Sequence, residues 1–166
     1  FHAGSSTQIQ FPAYEGLSPG LASALRNITR PVSSVIPVAN FLYSKILMRF
    51  QELKVVFSET SLTWVAYELE TADHQFERQR LIEEGYTMTP SEMSKQSVYY
   101  TGWYDKTGID TRKYIGTNNI LWGTSFPLGT STWPKTQDYI NRAFADVDAD
   151  DKKQILSGNA AALYKI

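Results

Sequence analysis

Four short runs of the chain are apolar without a helical period. They are the stub Phe1-His2, "LKVVF" (Leu53 to Phe57), "SVYYTGW" (Ser97 to Trp103) and "NILWG" (Asn119 to Gly123). The second is β-branched and apolar at successive positions, the pattern of a parallel strand covered on both faces. Longer segments between and after them carry helical periodicity. Pro31 to Phe50 places Val35, Val38, Phe41, Leu42 and Ile46 broadly on one stripe, with Pro37 near its start. Ser61 to Glu84 begins apolar and ends heavily charged, so its far end is expected in water. The last helices are expected over 133–147 and 148–166, with Pro134 in a first turn, where the missing N–H is harmless, and Asp148 as a cap. Ser5 to Arg30 is rich in Gly, Ser and Pro and is expected to be a long loop holding a helical turn or two near Leu21 to Arg26.

Strands alternating with helices imply crossover connections and a parallel sheet, α/β in class. Four such units make half of a (β/α)8 TIM barrel, in which functional groups project from the C-terminal ends of the strands. Here those ends are His2, Ser58-Glu59, Thr101 to Trp103 and Thr124-Ser125. The 166 residues suffice for one domain, taken as a single unit over 1–166. A domain seldom opens on the last two residues of a strand, so the chain is expected to be the rear part of a longer protein. Half a barrel alone exposes two sheet edges, which favours pairing with the other half, a second chain or further copies of itself.

Composition narrows the chemistry. The 16 basic and 17 acidic residues nearly cancel, so no bulk field attracts nucleic acid or an anionic membrane. The longest apolar runs fall far short of the roughly 18 residues of a membrane span. With no cysteine there is no thiolate site, and the composition suits a cytoplasmic setting. Only two histidines exist. His2, at a strand end, reads as a metal ligand or general base, or as a polar loop residue. His74 lies in a charged stretch of helix and reads as solvated. Glu59 at a buried strand's end needs a partner if it is enclosed, or it is a first-turn helix glutamate favoured by the dipole. Thr124 and Ser125 lack the Gly-x-Ser-x-Gly setting of a serine nucleophile. Tyr99, Tyr100, Trp103 and Tyr104 either wall a planar ligand or pack the core.

The end of the chain is more specific. "IGTNNILWGTSFPLGTSTWP" followed by "ILSGNAAALYKI" resembles the C-terminal end of the amidohydrolase-related (amidohydrolase 2) family, with its aminocarboxymuconate-semialdehyde decarboxylase-like members. "RFQELKVVFSETSLTWVAYELETAD", "TPSEMSKQSVYYT" and "FHAG" resemble further segments of that family in order and spacing. The resemblance implies a (β/α)8 barrel of the metal-dependent hydrolase type holding a divalent metal, usually zinc. Such barrels hydrolyse or non-oxidatively decarboxylate small organic substrates. It implies His2 as the strand-5 metal ligand and Glu59 as the strand-6 catalytic group. The family's strand-8 aspartate falls on Ser125, the histidine after it on Leu128 and a terminal arginine on Ala162. A neutral hydroxyl cannot both bind metal and take a proton from water as a carboxylate does.

Three readings follow: the C-terminal part of a metal-dependent hydrolase or decarboxylase, a divergent member that has lost the metal and binds a ligand or acts as a scaffold, and a metal-free acid–base enzyme using His2 and Glu59. In each the pocket lies at the strand ends, with Trp103, Tyr104 and Phe126 as expected substrate-binding walls.

Overall fold

A computed structural model describes residues 1–2 and 14–166. The part of the expected long loop over 5–13, and Ala3-Gly4 of the "FHAG" segment, lie outside the described residues. The loop's second part is more ordered than expected. Ser18 caps helix α1 (Pro19–Thr29), accepting the Leu21 N–H, and Pro19 takes the first helical position. Helix α2 (Val32–Tyr43) carries Pro37 inside it. The stripe expected to run on to Phe50 instead breaks at Lys45, whose φ of 60° is left-handed, before the short α3 (Ile46–Arg49).

Strand β1 (Val55–Phe57) leads into α4 (Thr63–Arg78). That helix stops before Leu81–Glu84, which form a separate 3-10 turn. Helix α5 (Pro90–Ser97) was not evident from hydrophobic periodicity; Thr89 and Glu92 form a reciprocal capping box with Pro90 at the first position. Strand β2 (Val98–Gly102) follows without a loop, then α6 (Lys106–Asp110), α7 (Arg112–Ile115) and β3 (Ile120–Trp122). Pro134 lies outside α8 (Thr136–Ala143), which begins two residues later, so it does not occupy a first turn. Asp148 does cap α9 (Ala149–Lys153), accepting the Asp151 N–H at 2.8 Å. A π-turn (Gln154–Gly158) joins α9 to α10 (Asn159–Tyr164).

The sheet is parallel in the order β1-β2-β3, with Phe57 opposite Tyr100 and Tyr100 opposite Ile120. His2 bridges Ser58 in parallel, so the stub lies beside β1. The Ser58 N–H donates to the Phe1 carbonyl at 2.7 Å. Alternate residues divide the two faces. Val55, Phe57, Val98, Tyr100 and Ile120 are buried against Leu42, Val65, Leu69, Met93 and Ile109 from the helices and Leu62 just before α4. Val56, Tyr99 and Thr101 on the other face are half-buried, so that side is less covered than the apolar run of β1 suggested.

Two buried asparagines fasten the helical layer to the strands. The Asn119 amide donates to the carbonyls of Lys95 and Val98. The Asn159 amide donates to Thr117 and Ile120 at 2.8 and 2.7 Å, and its oxygen accepts from Gln154. This gives the "GNAA" segment a structural role. Asn159→Ala takes this donor from the buried Ile120 carbonyl, while the Thr117 carbonyl keeps the Ile120 N–H, and is expected to cost about 1–3 kcal/mol, measurable as a lower urea midpoint with unchanged slope.

Candidate functional site at the strand ends

Beyond Phe57 the backbone turns sharply. Glu59 and Ser61 have φ of 61° and 64°, and Ser125 beyond β3 has φ of 58°. Non-glycine residues in the left-handed region cost energy and gather where a site over-determines them. The Glu59 N–H donates to the Thr101 hydroxyl at 2.7 Å, tying the end of β1 to β2. The turn is braced from below by Asp105, which is 2% exposed. One of its oxygens accepts from the Ser61 hydroxyl and from the Leu62 N–H (2.9 Å for the latter), and the other accepts the Trp103 N–H at 3.2 Å. Gly102 and Gly108 lie against Leu62; a Cβ at Gly108 would come within 2.3 Å of the Leu62 Cβ. No larger residue allows the loops to approach so closely.

Ser125 and Glu59, 66 positions apart, meet here. The Ser125 hydroxyl lies 2.6 Å from both Glu59 carboxylate oxygens and donates between them, with the Thr130 hydroxyl 3.3 Å away. On the other side the Arg30 guanidinium stands 3.8 Å from Glu59 Oε2 and donates to the Asn27 side-chain Oδ1 at 3.0 Å. The carboxylate is 14% exposed and so keeps one open approach. That approach is a cavity of about 210 Å³ lined by Arg30, Glu59, Ser61, Trp103, Tyr104 and Thr130 among others. Trp103, Tyr104 and Pro31 form its apolar wall, and Arg30, Glu59 and Ser61 supply polar groups, a mixture that suits a small-molecule site. The Trp103 indole is buried and donates to the Thr130 carbonyl at 3.1 Å, pinning the β3 loop. Tyr104 packs edge-on against Trp103; burial, then the charge of Asp105, pushes its phenol above the ordinary value, against opposing pulls from Ser61 and Arg30.

The structure thus brings together Glu59, Ser125, Trp103 and Tyr104 of the expected site. Phe126 is not a wall of the cavity: it is 62% exposed and packs edge-on against Trp133, because the chain leaves Ser125 in the left-handed conformation and turns outward. His2 stands at the neighbouring strand end beside Ser58. His74 is exposed on α4, as expected. Arg30, Asn27, Thr130 and Asp105 were not singled out by the sequence. Asp105 had a signal, a carboxylate directly beyond a buried strand; Arg30, at the end of a Gly/Ser/Pro-rich stretch, had none.

An amidohydrolase family model matches residues 2–166. The chain belongs to the amidohydrolase family. No curated protein matches this amidohydrolase chain. Among solved structures it is similar to an amidohydrolase from Mycobacterium avium subsp. paratuberculosis K-10 (18% identity, TM-score 0.70, covering 88% of this chain and 36% of that one). It is also similar to 5-carboxyvanillate decarboxylase from Sphingomonas paucimobilis (20%, 0.63, 84% and 41%). A third is a dihydroxybenzoic acid decarboxylase from Polaromonas sp. JS666, solved with manganese and the inhibitor 2-nitroresorcinol (19%, 0.64, 90% and 47%). The amidohydrolase chain therefore spans less than half the length of these structures. The likenesses show its fold, an α/β arrangement with the C-terminal half of a (β/α)8 barrel, as the sequence reading expected.

Whether these residues suit a divalent ion can be tested on the donors. Among the described residues no group of three or more histidine, cysteine, aspartate or glutamate side chains is placed to hold a metal. Glu59 already accepts from Ser125 and faces a guanidinium, and Ser125 supplies a hydroxyl where a hard cation needs an anion. The described donor set does not fit a metal by itself.

Proposed function

We propose that this chain carries the substrate pocket of an amidohydrolase-family enzyme that acts on a small organic substrate by hydrolysis or non-oxidative decarboxylation. The single observation that carries the reading is the cavity at the strand ends with Glu59 at its polar centre. Trp103 and Tyr104 suit the face of a planar substrate. Arg30 suits an anionic group on it. Glu59, oriented by Ser125 and Thr101, is placed to exchange a proton with substrate or water. The family resemblance favours a divalent metal, zinc or another. Any such ion would require donors beyond the described residues, with His2 at the adjacent strand end as this chain's candidate contribution.

A second reading, a member that binds its ligand without a metal, is favoured by one contact: the Ser125 hydroxyl occupies the carboxylate that a metal would share. Elemental analysis of the purified protein separates the two. One equivalent of a divalent ion supports the metal-dependent reading, and none supports the second. Under the metal-dependent reading Glu59→Gln is expected to lower turnover by roughly 10²–10⁴-fold, whereas a member that only binds its ligand shows no turnover to lose. An assay against small aromatic carboxylates, 5-carboxyvanillate and dihydroxybenzoate included, with melting followed in parallel, checks this. Unchanged turnover in Glu59→Gln would remove Glu59 from the reaction.

A further inference from the structure

A second cavity, of about 290 Å³, lies between α2 and α4, away from the strand ends. It is lined by Tyr43, Glu68, Thr71, Gln75, Gln79 and Leu81, with the small side chains of Ala39 and Ala72 between them. Glu68 is only 9% exposed. A carboxylate on so buried a residue is ordinarily paired, yet among the described residues no salt bridge or hydrogen bond reaches its side chain, whose oxygens open onto the cleft. Its helical neighbours three and four positions away are Trp64, Val65, Thr71 and Ala72, so α4 supplies no cation. The titratable groups set against it from other elements are Tyr43 of α2 and Tyr100 of β2. Both hydroxyls are engaged elsewhere: Tyr43 donates to the Ala72 carbonyl at 2.7 Å, and Tyr100 shares a hydrogen bond with Ser94 at 2.9 Å.

We propose that this cleft binds a small organic cation, a primary ammonium or guanidinium on a short aliphatic stem, with Glu68 as its counter-ion. The ammonium answers the unpaired carboxylate. The amide oxygens of Gln75 and Gln79 and the Thr71 hydroxyl offer further acceptors, and Ala39, Ala72 and Leu81 receive the stem. One carboxylate among neutral groups is too few anionic oxygens for a calcium-type ion, which takes six to eight oxygen ligands, so the organic cation is the occupant these walls favour. The site is independent of the pocket at Glu59.

Equilibrium dialysis of the protein with n-butylammonium and n-butylguanidinium, with n-butanol as the neutral control, tests the proposal. Saturable binding of the cations at pH 8 and none of butanol is expected. Burial raises the Glu68 carboxyl above its ordinary value. It therefore takes up its proton at a higher pH than a free glutamate, and cation binding should fall as pH is lowered through that region. Glu68→Gln keeps the shape and removes the charge, and should weaken binding by about tenfold or more. Thr71→Lys, three positions along α4, should block the cleft with an ammonium of its own, and it decides the matter if Glu68→Gln does not fold. Equal retention of butanol and butylammonium, or retention undiminished in the variants, would overturn the proposal.

Discussion

Asp105→Ala is expected to destabilise the protein by about 3–5 kcal/mol and to empty the strand-end pocket of its geometry. The carboxylate takes three donors at once, from the Ser61 hydroxyl, the Leu62 N–H and the Trp103 N–H. Each buried donor left alone costs about 1–3 kcal/mol, and the costs are not fully additive. Single-domain stabilities are about 5–15 kcal/mol, so the loss is a large share of the total. The effect reaches function because Ser61 and Leu62 lie only two and three residues after Glu59, and the left-handed turn at Glu59 and Ser61 persists only while its surroundings enforce it. Urea unfolding measures the first consequence and tryptophan fluorescence of the buried Trp103 the second. Asp105→Asn, which keeps one acceptor oxygen, should cost distinctly less. A loss below about 1 kcal/mol in the alanine variant would place Asp105 among ordinary surface residues.

Ser125→Asp should convert the site from a hydroxyl–carboxylate pair into a metal-binding one. The Ser125 hydroxyl is 2.6 Å from both Glu59 oxygens, so an aspartate there puts a second carboxylate against the first. Two carboxylates at that distance repel unless a proton or a cation lies between them. The variant is therefore expected to melt lower than the parent without divalent ions and to recover when manganese or zinc is added. Binding at 100 times the dissociation constant returns about 2.7 kcal/mol. The parent, with a neutral hydroxyl at that position, should show little such dependence. Thermal melts of both proteins with and without each ion provide the measurement. Equal ion dependence in the two proteins would mean that a carboxylate at position 125 does not create a metal site.

Much of the frame was legible in the residues. The alternation of apolar runs with helical stripes placed the strands at Val55–Phe57, Val98–Gly102 and Ile120–Trp122 within a residue or two of where they lie, because a buried parallel strand leaves little choice of side chain. The short helices α5, α6 and α7 were less visible. Helices of four to eight residues span only about one or two turns, too few for a repeating stripe, and their signals are local, as with the Thr89/Glu92 capping box. Helix α1 was underestimated for a related reason: its Gly, Ser and Asn content reads as loop, while its Ser18 cap and Pro19 start make it a helix of 11 residues.

The strand-end residues could also be named, since a parallel sheet delivers its C-terminal tips to one side. What sequence could not decide was who meets whom. That Ser125 donates to Glu59, that Arg30 comes from just beyond α1 to face them, and that Phe126 turns away are matters of loop paths. Those paths are fixed by contacts remote in sequence, such as Asp105 to Leu62 over 43 positions and Trp103 to Thr130 over 27. The same holds for Glu68, which in the sequence is one acid among many on a charged helix and in the fold lines a cleft with no salt bridge from the described residues. Periodicity determines which face of an element is buried, because that depends on neighbours three or two residues away. The chemistry of the two cavities depends on packing between elements, which only the tertiary structure sets.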